Sequence, residues 1–281
     1  TSCSHDLQHI SVLGVGLAVS DCQTYTQHRD VNGVGEVSET FTSRGILRIF
    51  MNTNDPFLLQ RSNAAELFLI RHADAIPEAD EIIPSGIYDN LPLSRIGREQ
   101  AQLLAQRLKD IRFDAAYSSP LRRCQETAAP LLNYLGLQLT LVEGLAELRI
   151  GEIQPIPVVQ EGDDLDILSK AIHERHVDIV RIAGATGSWN SLPNSEPAQE
   201  FRQRVVRALD EIARHHIGQR VLIFAHGGVI NTYASEVLGL NKDFFFPCAN
   251  TSITMVRASS DHRVLFTLND AAHLRLIKDE R

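Results

Sequence analysis

From Glu66 onward, short apolar runs alternate with stretches of helical periodicity, and this alternation constrains the fold more than any other feature of the chain. Alternating strand and helix patterns are typical of βα units, which assemble into a parallel sheet covered by helices. Strands are predicted at 67–70, 113–119, 137–145 and 220–225, followed by an edge hairpin formed by SITMVRA and RVLFTLN. The sequence therefore predicts a three-layer α/β/α sandwich with a mostly parallel central sheet.

Four helices are predicted, three between the strands named first and a fourth that follows His226 and two glycines. The segment LSRIGREQAQLLAQRLKD repeats apolar residues at helical spacing, and Ser94 stands where an N-cap is expected. Pro120 is predicted to open the next helix, which Gly136 ends. Further along, AQEFRQRVVRALDEIARHH places its apolar residues on one face, whereas the stretch before it is less regular.

Within that less regular stretch, His173 and His176 flank a Glu-Arg pair and invite interpretation as a metal site. The segment lacks the His-Glu-x-x-His spacing that places two imidazoles on one helical face. A solvated helix surface is therefore the interpretation adopted for both histidines, and no metal or cofactor is predicted.

Polar side chains follow several of the predicted strands. Arg71 and His72 end the first apolar run, and His226 follows the run at 220–225. The predicted strand 113–119 leads through Ser-Ser-Pro into a helix that carries Arg122 and Arg123. Ligands of open α/β sheets bind at the carboxyl ends of strands, and a helix start with an arginine suits an anion. Each residue alone is also explained as a polar loop residue, but together they indicate a phosphoryl site.

Five segments, in order, resemble the histidine phosphatase superfamily, also called the phosphoglycerate mutase-like family. The resemblance extends from about Glu66 to Leu274. Its segments are LIRHA, LPLSRIGREQAQLLAQRL, SSPLRRCQETA, GLAELRIGE and VLIFAHGGVI. Joint chance occurrence of all five is far less probable than any single match, so the expected fold is phosphoglycerate mutase-like.

The resemblance implies a role for each matching residue. His72 is the nucleophile that becomes phosphorylated, and Glu147 is the proton donor to the leaving group. Arg71, Arg123 and His226 hold the phosphoryl oxygens, with His226 also counted as catalytic. This division suits phosphoryl transfer, which asks a protein mainly for positioning and charge neutralisation. An imidazole is neutral near pH 7 and attacks without a second base, and the implied site uses no metal.

Departures from the family pattern bear on the reaction. Ala73 stands where the signature has glycine, and we expect the turn to tolerate it unless φ there is positive. The family's sugar-phosphate mutases have serine and asparagine where this chain has Ala75 and Glu78. They also carry a basic insertion where this chain has the acidic IQPIPVVQEGDDLD. These differences favour a phosphomonoesterase acting on a small phosphorylated metabolite. The alternatives are phosphoglycerate mutase-type transfer and a non-catalytic phospholigand- or protein-binding member.

Net charge and cysteine spacing limit which binding partners and which cellular location are expected. A formal charge of −8 opposes non-specific attraction to nucleic acid or anionic lipid, so neither is an expected partner. No apolar stretch approaches the ~18–20 residues needed to cross a bilayer. Four widely spaced cysteines without a CxxC pair suit a reducing cytoplasm, which is the predicted location. The oligomeric state is left open.

The first 50 residues differ from the rest of the chain. They are rich in Ser, Thr and Gly and show no sustained period of 2 or 3.6. We predict that residues 1–50 are a poorly ordered extension or a translated upstream region, and that residues 51–281 form the histidine phosphatase domain. A genuine accessory arm is the alternative.

Overall fold

The computed structural model describes residues 55–76, 90–151 and 165–276, together with the backbone of four earlier strands. The chain divides into two compact units, Thr1–Leu59 and Gln60–Arg281. The first unit contains two antiparallel pairs: β1 (His9–Val12) with β2 (Val15–Ala18), and β3 (Thr24–Arg29) with β4 (Val37–Thr42).

The second unit is built on a six-stranded sheet. Its strands are β5 (Ala65–Arg71), β6 (Ala115–Ser118), β7 (Leu139–Leu141), β8 (Arg220–Ala225), β9 (Ile253–Ala258) and β10 (Arg263–Asp270). They lie in the order β10-β9-β5-β8-β6-β7. The β5, β8, β6 and β7 neighbours run parallel, whereas β9 is antiparallel to both β5 and β10. The predicted mostly parallel sheet with a hairpin at its edge is confirmed.

Five α-helices accompany the strands in the described part of this unit. They are α1 (Arg95–Leu108), α2 (Arg122–Leu135), α3 (Leu165–Thr186), α4 (Ala198–His215) and α5 (Gly227–Val237). Helix α3 was not predicted, since among its described residues only Leu168 and Ala183 are buried hydrophobics. Ile179 and Ile182 are partly buried against the core, whereas Ile167 and Val177 are exposed, so the apolar residues of α3 do not all fall on one face. No helix among the described residues is long and apolar enough to span a membrane.

The sheet separates two apolar cores, as the predicted three-layer arrangement requires. Leu67 and Val221 on one face pack with residues of α4 and α5. Ile70 and Leu222 on the other face pack with residues of α1 and α2. Because successive strand residues point to opposite faces, a strand covered on both sides reads as a continuous apolar run. This is why RVLIFA was recognisable as a buried strand.

The helix ends agree with the sequence pattern at two positions and differ at one. Ser94 Oγ accepts a hydrogen bond from Gly97 N at 3.0 Å, as predicted for an N-cap. Gly136 ends α2 in the left-handed conformation with φ 65°, also as predicted. Helix α2 begins at Arg122 rather than at Pro120. The side chain of Ser119 accepts from Leu121 N at 3.3 Å and keeps the preceding residues in a turn.

Candidate active site

Two histidines meet at the carboxyl end of the parallel strands. Strands β5 and β8 are neighbours, and Arg71 is paired in register with Ala225. The next residue of each chain segment is therefore a histidine, and the ring centroids of His72 and His226 lie 5.2 Å apart. Adjacent parallel strands ending in register thus place both imidazoles at one point, where ligands of such sheets bind.

Two arginines reach the same point from different elements. Arg123, in the first turn of α2, places Nη2 3.3 Å from Nδ1 of His226. Arg71, at the end of β5, donates from Nη1 to the carbonyl of Cys248. Its Nε is buried and makes no hydrogen bond within the described part of the chain. Among the described residues, no other buried side-chain polar atom lacks a partner. Buried polar groups are nearly always satisfied, so this donor fits an anionic ligand oxygen.

The adjacent Arg122 points elsewhere. Its Nε donates to Glu126 at 2.6 Å, one helical turn along α2, and its side chain is 44% exposed. The structure therefore brings one of the two neighbouring arginines, Arg123, to the histidines and leaves the other on the surface.

His72 is held as a neutral ring with a defined tautomer. Its Nδ1 lies 2.7 Å from the carbonyl oxygen of Ala73, which can only accept, so Nδ1 carries the proton. Burial, together with the charges of Arg123 and Arg71, keeps the pKa of His72 well below its usual value of 6.5. The lone pair therefore remains on Nε2 across the neutral range, which is the form that a nucleophile requires.

His226 is fully buried, and hydrogen bonds fix its tautomer as well. Arginine can only donate, so Nδ1 of His226 accepts from Arg123. Nε2 then carries the proton and donates to Ser119 Oγ at 2.7 Å. Burial and the Arg123 charge lower the pKa of His226 well below 6.5. Beside this ring lies Cys124, a thiol whose pKa burial raises to about 12.

Glu147 approaches from the loop after β7. Its Oε1 accepts from Leu148 N at 2.9 Å and its Oε2 accepts from Gly228 N at 3.1 Å. Gly228 lies in the first turn of α5, where backbone N–H groups favour a carboxylate. A Cβ at position 228 would come within 2.3 Å of Glu147 Oε1, so the glycine is what lets the carboxylate approach.

The backbone of the loop after His72 is held by hydrogen bonds to two side chains. Ala73 N donates to Thr127 Oγ1 at 2.9 Å, and Asp74 N donates to Gln100 Oε1 at 2.8 Å. Ala73 is buried and has no positive φ, so alanine fits where the family signature has glycine. Glu78 and most of the acidic segment after Glu147 lie outside the described residues.

His176 is exposed on helix α3, which agrees with the interpretation as solvated helix surface, and it also lies near the candidate site. This residue of α3 lies close enough to Arg71 and His72 for their charges to interact with it. The adopted interpretation as solvated helix surface does not include this proximity, because it depends on where α3 lies relative to the sheet.

A site with two neutral imidazoles, two guanidinium groups and a carboxylate on this sheet defines a phosphoryl-handling protein of the phosphoglycerate mutase-like fold. The family model for the histidine phosphatase superfamily (branch 1) matches residues 67–271. The chain belongs to this superfamily.

Individual relatives include both phosphatases and mutases. The chain is 30% identical to the putative phosphoserine phosphatase 2 of Hydrogenobacter thermophilus, over 74% of this chain and 97% of the relative. It is 28% identical to the probable phosphoglycerate mutase GpmB of Yersinia enterocolitica, over 62% of this chain and 75% of the relative. The crystal structure of phosphoglycerate mutase from Bacillus anthracis is similar, with 25% identity, a TM-score of 0.56, and coverage of 76% and 97%.

Proposed function

We propose that the protein is a phosphomonoesterase that hydrolyses a small phosphorylated metabolite through a phosphohistidine intermediate. The observation that carries this proposal is the meeting of His72 and His226 at in-register strand ends beside the buried, unpartnered Nε of Arg71. A neutral nucleophile next to an unsatisfied cationic donor suits a phosphoryl group, since both its phosphorus and its oxygens then find a partner.

In the first step, His72 Nε2 attacks the phosphorus and the ester P–O bond breaks. Glu147, as the carboxylic acid, gives its proton to the departing oxygen, and the product alcohol leaves. Arg71, Arg123 and His226 hold the oxygens of the transferred group. Burial and the arginine charges lower the pKa of both histidines, and the dianion of the substrate offsets those charges.

In the second step, water attacks phosphorus and the P–N bond to His72 breaks. The Glu147 carboxylate takes a proton from the water, so each residue returns to its starting state. Arginine side chains supply the positive charge that metal ions supply to other phosphoryl-transfer sites, and the proposal therefore includes no metal and no cofactor.

Phosphoglycerate mutase-type transfer is the second candidate, supported by the mutase-named relatives. It differs only in what accepts the phosphoryl group. Ala75 and Glu78, which replace the serine and asparagine of the mutase signature, favour water as the acceptor. The phosphatase-named relatives point in the same direction. The proposal includes a cytoplasmic location, which suits the free thiols of Cys124 and Cys248.

A panel of phosphomonoesters tests the function. We expect release of inorganic phosphate from several small esters, phosphoserine and 3-phosphoglycerate among them, at a rate that a chelator does not change. The same reactions should yield no isomerised phosphoglycerate. Phosphoglycerate isomerisation that outpaces phosphate release would establish the mutase instead, and absence of both activities would favour the binding-only alternative.

Residues 51–281 form the catalytic domain in this proposal, and residues 1–50 an extension. A chain starting at Met51 should unfold cooperatively and hydrolyse the same esters at the full-length rate. The compact unit that begins at Gln60 and the family match from residue 67 support this expectation. Urea unfolding and phosphate release, each measured beside the full-length chain, provide the check. Loss of the cooperative transition would show that the first 50 residues are structural.

A further inference from the structure

Arg204 of α4 binds the backbone of the loop that carries Glu147. Its Nη1 donates to the carbonyls of Gly144 at 3.1 Å and Ala146 at 2.7 Å. Its Nη2 donates to the carbonyl of Glu147 itself at 3.0 Å. Three carbonyls within four residues thus accept from one guanidinium group, which fixes the path of the chain up to the Cα of Glu147.

The remaining donors of Arg204 bind the carboxylate of Glu196, eight residues earlier in the chain. Nε donates to Glu196 Oε1 at 2.7 Å and Nη2 to Glu196 Oε2 at 2.9 Å, so all five N–H donors of the guanidinium are used. Burial of Glu196 opposes its ionisation. The hydrogen bonds and charge of Arg204 outweigh burial and hold the pKa of this carboxyl below its usual value. A fully saturated, bidentately anchored group has little freedom to move.

The same loop is also in close contact with α4 through Gly144. A Cβ at position 144 would lie 2.7 Å from Cβ of Ala208 and 3.3 Å from the carbonyl oxygen of Arg204. Leu145, between the bound carbonyls of Gly144 and Ala146, is fully buried. The loop therefore rests directly on α4, and a shift of either would move the Glu147 carboxylate.

We propose that Arg204 is a positioning residue that holds Glu147 in the place required for proton donation to the leaving group. The inference rests on the proposed function, because it assigns Arg204 a role through the proposed acid. Arg204 acts through the backbone of residues 144–147, whereas the Glu147 side chain is held separately by Leu148 N and Gly228 N. Loss of the hydrogen bonds from Arg204 to this backbone should therefore displace the acid without removing it.

Helix α4 offers a matched control in Arg202. Its side chain is 23% exposed, against 24% for Arg204, and it likewise makes several hydrogen bonds. Its partners are Glu236, Ser235, Lys242 and Asp243, none of which belongs to the loop that carries the acid. Residues two apart on a helix point in different directions, so the two arginines serve different neighbours.

The test compares Arg204→Lys with Arg202→Lys in single-turnover phosphorylation by an alkyl phosphate and by nitrophenyl phosphate. Lysine keeps a cation beside Glu196 but lacks the planar fork that reaches the three carbonyls. Because a displacement of about 1 Å can cost on the order of 10²-fold, Arg204→Lys should slow the alkyl ester by ~10- to 100-fold. The nitrophenyl ester, whose leaving group needs no proton, should change little. Arg202→Lys should leave the ratio of the two rates unchanged.

Two further variants protect the inference from a folding defect. Gly144→Ala keeps Arg204 but forces the loop away from Ala208, and should give the same selective loss for the alkyl ester. Arg204→Lys added to Glu147→Gln should give no additional selectivity, since an absent acid cannot be misplaced. Circular dichroism and thermal unfolding identify any variant that is unfolded.

The outcomes separate this inference from the function on which it depends. If Glu147→Gln is selective for the alkyl ester and folded Arg204→Lys and Gly144→Ala are not, the positioning role is wrong while the proposed acid stands. Equal slowing of both esters by Arg204→Lys would also overturn it, as that result indicates a general structural role. If Glu147→Gln itself lacks selectivity, the failure lies in the proposed function.

Discussion

His72→Ala is expected to abolish both turnover and the acid-labile phosphoprotein that a rapid alkaline quench traps from the wild-type protein. Removing a covalent nucleophile takes away the intermediate itself, and losses on the order of 10⁴-fold or more are expected. The measurement follows a radiolabelled phosphoryl group from ester to protein, and mass spectrometry of the quenched chain locates it. His72 is the predicted site because Nδ1 is bound to the Ala73 carbonyl, which leaves Nε2 free to attack.

His262→Ala is the control for this experiment. His262 lies at the exposed turn between β9 and β10, and its loss should change neither turnover nor the trapped phosphoprotein. A His72→Ala chain that retains turnover would disprove the phosphohistidine mechanism. Phosphoprotein located on another residue would do the same, even if activity were lost.

The parts of this fold that the sequence predicted are those with local signals. RVLIFA reads as a strand because each of its side chains from Val221 to Ala225 is buried. Helix α1 starts after Ser94 because its side chain caps the helix, and helix α2 ends at Gly136 because glycine adopts the left-handed backbone. Both effects involve only neighbouring residues. The placement of β9 between β5 and β10 has no local signal, since any hairpin could pair through either strand.

The candidate site divides in the same way. His72 and His226 could be found because each follows an apolar run, and parallel strands bring their carboxyl ends together. Arg204 could not, because its partners in the Glu147 loop are 57 to 60 residues away and are backbone carbonyls, which carry no side-chain identity. The proximity of His176 to the site was not predictable for a related reason, since it depends on where α3 lies in the fold.

Glu147→Gln is expected to slow phosphorylation by an alkyl phosphate strongly and phosphorylation by nitrophenyl phosphate much less. A general acid helps only where the departing oxygen needs a proton, and its contribution is typically ~10²- to 10⁴-fold. An alkoxide leaves badly without that proton, whereas a nitrophenolate leaves unaided. Glutamine keeps an acceptor oxygen for one of Leu148 N and Gly228 N, whereas its amide nitrogen cannot accept from the other. The hydrogen bonds from Arg204 to the backbone of the loop do not depend on this side chain.

Arg123→Ala provides the contrast. Its guanidinium acts on the transferred phosphoryl group, which is common to both esters, so the two rates should fall by about the same factor. Single-turnover rates are required because slow hydrolysis of the phosphohistidine would mask the first step in the steady state. Glu147 also serves that second step, as the base toward water, and steady-state losses would mix the two roles.

Equal losses for the two esters in Glu147→Gln would mean that Glu147 is not the proton donor, and another carboxylate would have to take its place. Asp74 is close to the nucleophile in sequence, but its Oδ2 accepts from Ser94 Oγ at 2.6 Å and its Oδ1 from Asn250 Nδ2 at 3.4 Å. These donors come from two other segments of the chain, the N-cap of α1 and the residues before β9, so Asp74 is tied to the structure around its loop. The test would then pass to Glu78→Gln with the same pair of esters, and selectivity for the alkyl ester in that variant would identify Glu78 as the acid.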